Sequence, residues 1–437
     1  MEENSNSVLV IGGGIAGIQA SLDLAERGIK VELVEKKPCI GGRMAQLDKT
    51  FPTNDCSICI LAPKLAECYR HPNITLHTLA EVKEITGKAG NFKAKLLQHA
   101  RYIKAEECIN CGICIEKCPM RVDDEFDVFL RKRRAIYIYF LQGVPSIMAI
   151  DPEKCLYLTK DACRICEKVC EREAIDFEQK DSEVNINIKS IIVATGYEPF
   201  DPSPLVNLGY KHLPNVVTGL EFERMICASG PLKGHLVRSS DRKEPKKLAF
   251  INCVGSRDIK YNPYCSSVCC MYTTKEAMVA YEHDNSIQSF IFYIDLRAGG
   301  KGFREYIERG QKEYGIKYIK GKVAKIIEDD DKNPIIIYED MNTSKMKKFP
   351  VDLVILATSM IPNKDTPELA NILGIDLDKN NFFLSNAYLP LDSSKKGIYI
   401  CGCCRGPMDI PNSVIDASGA AAKAAENAIR EGSKWKI

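Results

Sequence analysis

Eight cysteines in the first half of the chain are spaced for chemistry: Cys108-x2-Cys111-x2-Cys114-x3-Cys118 with Pro119 behind it, then Cys155-x7-Cys163-x2-Cys166-x3-Cys170. Three thiolates at intervals of three residues wrap one iron–sulfur cubane, and the fourth is carried away to ligate the other. The spacing therefore predicts crossed sets. One [4Fe-4S] cluster takes Cys108, Cys111, Cys114 and Cys170; the other takes Cys155, Cys163, Cys166 and Cys118. The second run departs from the usual pattern, with seven residues after Cys155 and Glu171 where proline is expected. Paired zinc sites are the alternative, but they rarely show this three-plus-one spacing. The chemistry predicted is electron transfer.

A further quartet, Cys253, Cys265, Cys269 and Cys270, lies downstream of the apolar run Leu248-Ala249-Phe250-Ile251-Asn252. Three of its members fall near the start of an expected helix, where the dipole favours thiolate, and adjacent thiols in a reducing enzyme call for something that binds them. The quartet predicts a third [4Fe-4S] cluster, with inert buried thiols as the alternative. The turn Cys253-Val254-Gly255-Ser256-Arg257-Asp258 stands where a pyridine-nucleotide domain would place a glycine-rich phosphate cradle.

Elements that could position such groups are legible around them. Ser7 to Ile11 reads as a buried strand, and Gly12-Gly13-Gly14-Ile15-Ala16-Gly17 opens a helix to about Arg27. In that context Gly12 permits the tight turn, Gly14 lets a pyrophosphate reach the backbone, and Gly17 lets helix and strand pack. A second strand ends at Glu35, placed to accept hydrogen bonds from a ribose. Gly41-Gly42-Arg43 and the segment Ile191 to Gly196, carrying Ala194, Thr195 and Gly196, complete a set in which the chain resembles two-domain flavoproteins. That resemblance implies FAD.

Composition agrees. The chain has 437 residues, 45% of them hydrophobic, enough for two or three domains. With 60 basic and 58 acidic residues the formal charge is +2, which leaves no nucleic-acid or anionic-membrane footprint. The 20 cysteines sit at metal-ligand spacings, which points to a reducing cytoplasm. Met1 to Asn6 carries no secretory signal, and the apolar stretch Ala135 to Ile150 is too short and too broken to span a bilayer. The organisation expected is α/β: residues 1–100 and 182–245 as the first two parts of an FAD domain, the latter ending in a charged linker, Arg238 to Lys246. Residues 101–181 form a ferredoxin-like insert, 246–360 a second nucleotide-domain-like unit, and 361–437 the last part of the FAD domain, ending in a helix from Ser413 to Arg430. Arg131-Lys132-Arg133-Arg134 reads as a solvated face or a dock for an acidic partner.

The chain resembles the A subunit of heterodisulfide reductase and the related A subunit of the quinone-interacting membrane-bound oxidoreductase. The shared marks are Gly-Gly-Arg-Met followed by Phe51-Pro-Thr-Asn-Asp-Cys56-Ser-Ile-Cys59, the inserted ferredoxin, Cys253-Val-Gly-Ser-Arg-Asp with Cys265-Ser-Ser-Val-Cys269-Cys270, and Asp409-Ile410-Pro411-Asn412-Ser413-Val414. The resemblance implies a thioredoxin-reductase-like flavoprotein passing electrons between FAD and clusters in a larger cytoplasmic complex, with flavin-based bifurcation left open. Partners implied are cluster-bearing or quinone-linked subunits and a ferredoxin, hydrogenase or dehydrogenase donor, around a homodimer. Lys36, Val82, Gly402, Cys403, Ile410 and Pro411 are expected at the cofactor, although Cys403 replaces the aspartate that related flavoproteins use. Measured against full-length methanogen subunits the sequence reads as a short form without the terminal cluster domains. Lys275, about one and a half helical turns past Cys270, is expected to point its ammonium at the isoalloxazine, with an exposed helix lysine as the alternative. Cys56 and Cys59 could be a redox dithiol, ligands to a partner's cluster, or structural thiols. The other function in view is a self-contained NAD(P)H-dependent disulfide reductase or electron-input subunit using that pair.

Overall fold

The computed structural model describes residues 7–429; the N-terminal hexapeptide and Arg430 lie outside the described residues. Ser7–Ile11, Lys30–Glu35, Ile74–Thr78, Ser190–Val193 and Ile398–Ile400 form a parallel sheet in the spatial order 398–400, 190–193, 7–11, 30–35, 74–78. Its central strands are apolar throughout because both faces are covered. The helices Ile15–Ala25 and Ile410–Ile429 cover one face, packing closely through Ala20, Ala417, Ala420, Ala421 and Ala424. On the other face lies an antiparallel sheet of Ala80–Lys88, Asn91–Gln98 and Ser182–Ile188, whose Phe92, Leu96 and Ile188 pack on Leu9 and Ile191.

That antiparallel sheet carries the insert. Gln98 pairs with Ser182, so residues 99–181 leave and return across one register position. The insert has its own core of Ile103, Ile136, Ile150, Ile175 and Phe177, with Cys114 and Cys166 among them. The irregular seven-residue spacing after Cys155 folds as a helix, Leu156–Lys160, ended by Asp161 at φ 51°. Arg164 then takes the place that Gly112 holds in the first half, at φ 87° against 82°. This left-handed arginine is braced by stacking on Tyr157 and by bonds to Glu167. In the basic run Arg131 and Lys132 are exposed, as a solvated face requires, and pair at the surface with Asp124, Asp127 and Asp123, whereas Arg133 is drawn in against Glu125 and Asp151.

A second sheet has seven strands in the order 216–218, 353–358, 247–254, 288–293, 317–328, 334–340, 345–350. The last two pairings are antiparallel and the rest parallel. The helix expected beside the third quartet begins at Cys269 and runs to His283. The stretch 182–245, expected to belong wholly to the flavin unit, divides. Val216–Thr218 pairs with Val354–Leu356, and a capping box between Thr218 and Glu221 starts the helix Gly219–Ile226, which packs Phe222 and Met225 on this second core. The expected linker is likewise pinned, because buried Arg238 donates to Asn333 Oδ1 and the Asp331 carbonyl.

Three units meet at a buried ionic seam. Arg224, on the helix Gly219–Ile226 and 1% exposed, donates from Nε to Asp127 of the insert at 2.7 Å. It also donates to the carbonyl of Gln46 and stands 5.0 Å over the Phe126 ring. Gln46 in turn donates to the carbonyl of Phe126. Leaving one member of such a pair buried alone costs about 3–5 kcal/mol. Asp127→Ala is expected to lower unfolding free energy by roughly that much and to open 122–133 to protease; a loss under about 1 kcal/mol would show that the seam does not hold the insert.

Candidate functional site: a nucleotide cradle between thiol quartets

The parallel sheet delivers Gly12, Glu35, Ala194-Thr195-Gly196 and Gly402 to one edge, beyond the carboxyl ends of its strands. Gly12 has φ 108°, and a Cβ there would lie 2.5 Å from the Ala194 carbonyl. A Cβ on Gly17 would lie 1.8 Å from the Gly12 carbonyl, so both positions exclude any side chain. Above Gly14 the nearest atom to a Cβ is the Gly42 Cα at 3.9 Å, which leaves the open approach a pyrophosphate needs. The helix that starts there has no side-chain cap, so its first N–H groups remain available to an anion. Glu35 accepts from the Gly13 and Lys37 N–H groups at 2.7 and 2.8 Å; burial raises its pKa, and these bonds oppose the rise. Thr195 Oγ1 is buried with no hydrogen-bond partner. This set fits an adenine dinucleotide.

The remaining expected contacts fall unevenly. Arg43 opens a short helical turn and donates to Gln46 Oε1 at 3.0 Å. Lys36 is largely exposed and bonds Asp365 at 2.8 Å. The Val82 side chain is in the core beneath the strand that ends at Glu35. Gly402 sits against Ala16, and the Cys403 thiol faces the Met408 carbonyl at 3.4 Å and Ser413 Oγ at 3.8 Å. Asp409 Oδ1 accepts the Asn412 N–H at 2.8 Å and so caps the helix on which Ile410 and Pro411 are the first residues. The insert touches this cradle through Phe140, whose ring would clash with any side chain at Gly41.

The cysteines of these runs gather in space. Cys118, Cys155, Cys163 and Cys166 line one small cavity, of about 20 Å³, with mostly apolar walls. The electrostatic neighbours of Cys114 are Cys108, Cys111 and Cys170. Cys253, Cys265, Cys269 and Cys270 line a smaller cavity, of about 10 Å³, at the amino end of the helix Cys269–His283. Among the described residues no three His, Cys, Asp or Glu side chains converge as the ligands of one metal ion would. Burial pushes Cys114 and Cys253 up to about 11 and Cys166 to about 12, with neighbouring thiols adding to it. Burial also moves Cys269 upward, with the neighbouring thiols Cys253 and Cys270 adding to it.

Cys56 and Cys59 form a disulfide at the start of the helix Ser57–Arg70, with Cys59 exposed. Ser57 anchors that start to the segment after Arg43, donating to the carbonyls of Met44 and Asp48. Lys275 is 1% exposed and pairs with Glu223, whose other oxygen accepts the Asp48 N–H at 3.0 Å. Burial lowers the Lys275 pKa, and the charges of Glu276 and Asp48 oppose the fall. The exposed-lysine alternative is thus removed; the ammonium lies on the seam beside residues 46–48. Sequence reasoning missed three groups: Glu223, Arg257, and Glu276, whose two carboxylate oxygens are buried without a partner. Arg257 was within reach, since it stands inside the cysteine motif. Glu223 and Glu276 look like ordinary helix glutamates until packing buries them.

Comparisons with known proteins fit this geometry. A model described as FAD dependent oxidoreductase matches residues 7–55, and one described as pyridine nucleotide-disulphide oxidoreductase matches residues 294–431. The thioredoxin reductases of T. acidophilum and Lactococcus lactis superpose with TM-scores of 0.53 and 0.54 at 15% identity, covering 97% of this chain and 98% and 99% of theirs. The fold and cradle thus define an FAD-dependent oxidoreductase of the thioredoxin-reductase type. At the level of sequence, the chain is 45% identical over 423 residues to the A subunit of the H2:CoB-CoM heterodisulfide, ferredoxin reductase of Methanothermobacter marburgensis, covering 96% of this chain and 63% of the relative. It is 48% identical over 425 residues to an iron-sulfur A subunit of the CoB–CoM heterodisulfide reductase of Methanopyrus kandleri, covering 96% and 64%. The protein is a homologue of the A subunit of heterodisulfide reductase, and it spans less than two thirds of the length of these relatives.

Glu276 supplies a pH test. Its folded pKa is raised above the ordinary 4.5 by burial, so the stability of the neutral buried acid is complete below about pH 4.5 and is lost as pH rises through the folded value. Relative to Glu276→Gln, the unaltered protein should therefore lose stability from pH 6 to 8, by at most about 1.4 kcal/mol per pH unit. A stability difference that does not vary with pH in chemical denaturation would contradict the burial of an ionisable Glu276.

Proposed function

We propose that this protein is the FAD- and iron–sulfur-bearing electron-transfer subunit of a cytoplasmic assembly of the heterodisulfide reductase type. The observation that carries the reading is the presence in one chain of a dinucleotide cradle and of three groups of four cysteines, one of them lining a cavity at the turn after the strand Lys247–Val254. FAD, when bound, exchanges electrons singly or in pairs, and thiolate-held clusters take them singly. The residues of the site divide the work. Gly12, Gly14, Gly17 and the helix that follows hold the pyrophosphate, Glu35 the ribose, and Ala194, Thr195, Gly196, Gly42 and Gly402 line the way toward Arg43 and Cys403. Cys108, Cys111, Cys114 and Cys170 hold one cluster, Cys118, Cys155, Cys163 and Cys166 a second, and Cys253, Cys265, Cys269 and Cys270 a third. Lys275, placed by Glu223, sets charge beside the flavin. Among the described residues no helix is long and apolar enough to cross a membrane, so quinone-linked chemistry would come through a partner protein. Other subunits are part of this reading because the relatives are named as A subunits, and a homodimeric arrangement and electron bifurcation are carried into it by family resemblance alone.

Protein made without oxygen should carry one FAD and about twelve irons per chain; zinc in place of iron, or FMN in place of FAD, would sink the reading. The Cys56–Cys59 disulfide favours a second reading, an NAD(P)H-dependent disulfide reductase acting on a small substrate. The turn after the strand Lys247–Val254 offers no glycine-rich phosphate cradle, which argues against it. Stopped-flow mixing with NADH or NADPH should give slow, incomplete bleaching of the flavin. Rapid stoichiometric bleaching would promote the second reading. Lys275→Met should change the flavin's one-electron potentials without changing iron content, and identical potentials would remove Lys275 from the site.

A further inference from the structure

The two thiol-lined cavities have the same donors and opposite surroundings. In the insert, Ala135, Ile136, Ile150, Leu156 and Phe177 wall the cavity. Its one arginine, Arg164, is turned aside, making two bonds of 2.6 Å to Glu167. The cavity of Cys253, Cys265, Cys269 and Cys270 is lined instead by Ser256, Arg257, Asp295 and Arg297. Its sulfurs receive hydrogen bonds: the Ser267 N–H reaches Cys265 Sγ at 3.3 Å and the Arg297 N–H reaches Cys270 Sγ at 3.4 Å.

Arg257 stands out within this lining. Its Nη1 is buried and hydrogen-bonds to no acceptor, and the nearest carboxylate, on half-exposed Asp295, is 3.9 Å away. The chain reaches this position through a constrained turn. Cys253 and Arg257 both adopt left-handed φ values, 64° and 58°, which non-glycine residues seldom take, and the strand pairing shifts register between Ile251 and Val254. The Arg257 N–H bonds the Tyr264 carbonyl at 2.9 Å and the Asp258 N–H bonds the Asn262 carbonyl at 3.0 Å. Strain of this kind persists only where surrounding contacts over-determine it. The turn thus brings a cation back over the thiol that begins it and leaves one nitrogen with no hydrogen-bond acceptor.

We propose that Arg257 is a tuning residue, whose fixed positive charge raises the reduction potential of the iron–sulfur cluster held by Cys253, Cys265, Cys269 and Cys270. The inference rests on reading that quartet as cluster ligands. Reduction adds one electron to a group already made negative by four thiolates. A cation in a partly buried site favours the reduced state, and it does so more strongly there than in water. N–H donors to the sulfurs act in the same direction. The insert cavity around Cys118, Cys155, Cys163 and Cys166 lacks a free cation in its lining and keeps a lower potential.

The test is a redox titration, followed by electron paramagnetic resonance, of anaerobically purified full-length chain beside its Arg257→Gln and Arg257→Lys variants. Arg257→Gln should shift the reduction equilibrium of one cluster by roughly tenfold, a fall of about 59 mV for one electron. Arg257→Lys should retain most of the original potential, and FAD and iron contents should match in all three proteins. An unchanged potential in Arg257→Gln overturns the proposal. So does loss of about four irons in that variant, which would make Arg257 a brace for the turn. About eight irons in the unaltered chain would instead remove the cluster reading beneath it.

Discussion

The structure depends on charge buried where three units meet. Arg224 of the second sheet's helix, Asp127 of the insert and the Gln46 backbone of the flavin unit are joined at one point, and Lys275 and Glu223 reach the same segment through the Asp48 N–H. Buried ion pairs add little net stability, because desolvation consumes most of the attraction, yet removing one partner is expensive. Such a seam therefore selects one arrangement of the units and penalises others. The segment it pins, residues 43–48, directly follows the glycines of the cradle, so the geometry of the nucleotide site is set by contacts that come from both neighbours.

A second regularity concerns the thiols. Burial alone would keep Cys114, Cys166, Cys253 and Cys269 protonated at neutral pH. Thiolates form there only when something positive arrives to share the cavity. The surroundings then decide what the bound group does. Apolar walls in the insert and a cationic, N–H-rich wall in the second sheet give one ligand chemistry two electrostatic settings. Tyr197 lies between the two regions, with Cys403, Arg43 and Cys269 as its electrostatic neighbours, so the cradle and the last quartet are close in space.

Much of this was legible in the chain itself, for definite reasons. Glycines such as Gly12 and Gly17 are read easily because the backbone contact that requires them is local, and cysteine spacing reports ligand geometry directly. The parallel sheet of the flavin unit could be drawn from its apolar runs. What escaped was non-local. The strand Val216–Thr218 is too short to show a pattern and finds its place only by pairing with Val354–Leu356. The meander of Lys317–Glu328, Pro334–Asp340 and Lys345–Pro350 is rich in lysine on its open face, which masks strand character. The basic run reads as solvated and is so at Arg131 and Lys132, but the burial of Arg133 depends on Asp151, which lies far along the chain. Burial of Glu223, Lys275 and Glu276 is decided by three-dimensional packing that no window of sequence contains.

The central claim is that three cubanes surround one flavin. Anomalous X-ray scattering at the iron edge, from crystals of anaerobically prepared protein, examines it directly. The account predicts three compact iron peaks, centred among Cys108, Cys111, Cys114 and Cys170, among Cys118, Cys155, Cys163 and Cys166, and among Cys253, Cys265, Cys269 and Cys270, with dinucleotide density from Gly14 toward Cys403. Anomalous signal that rises at the zinc edge instead, or a cavity at Cys253 to Cys270 without iron while the insert is loaded, would contradict it.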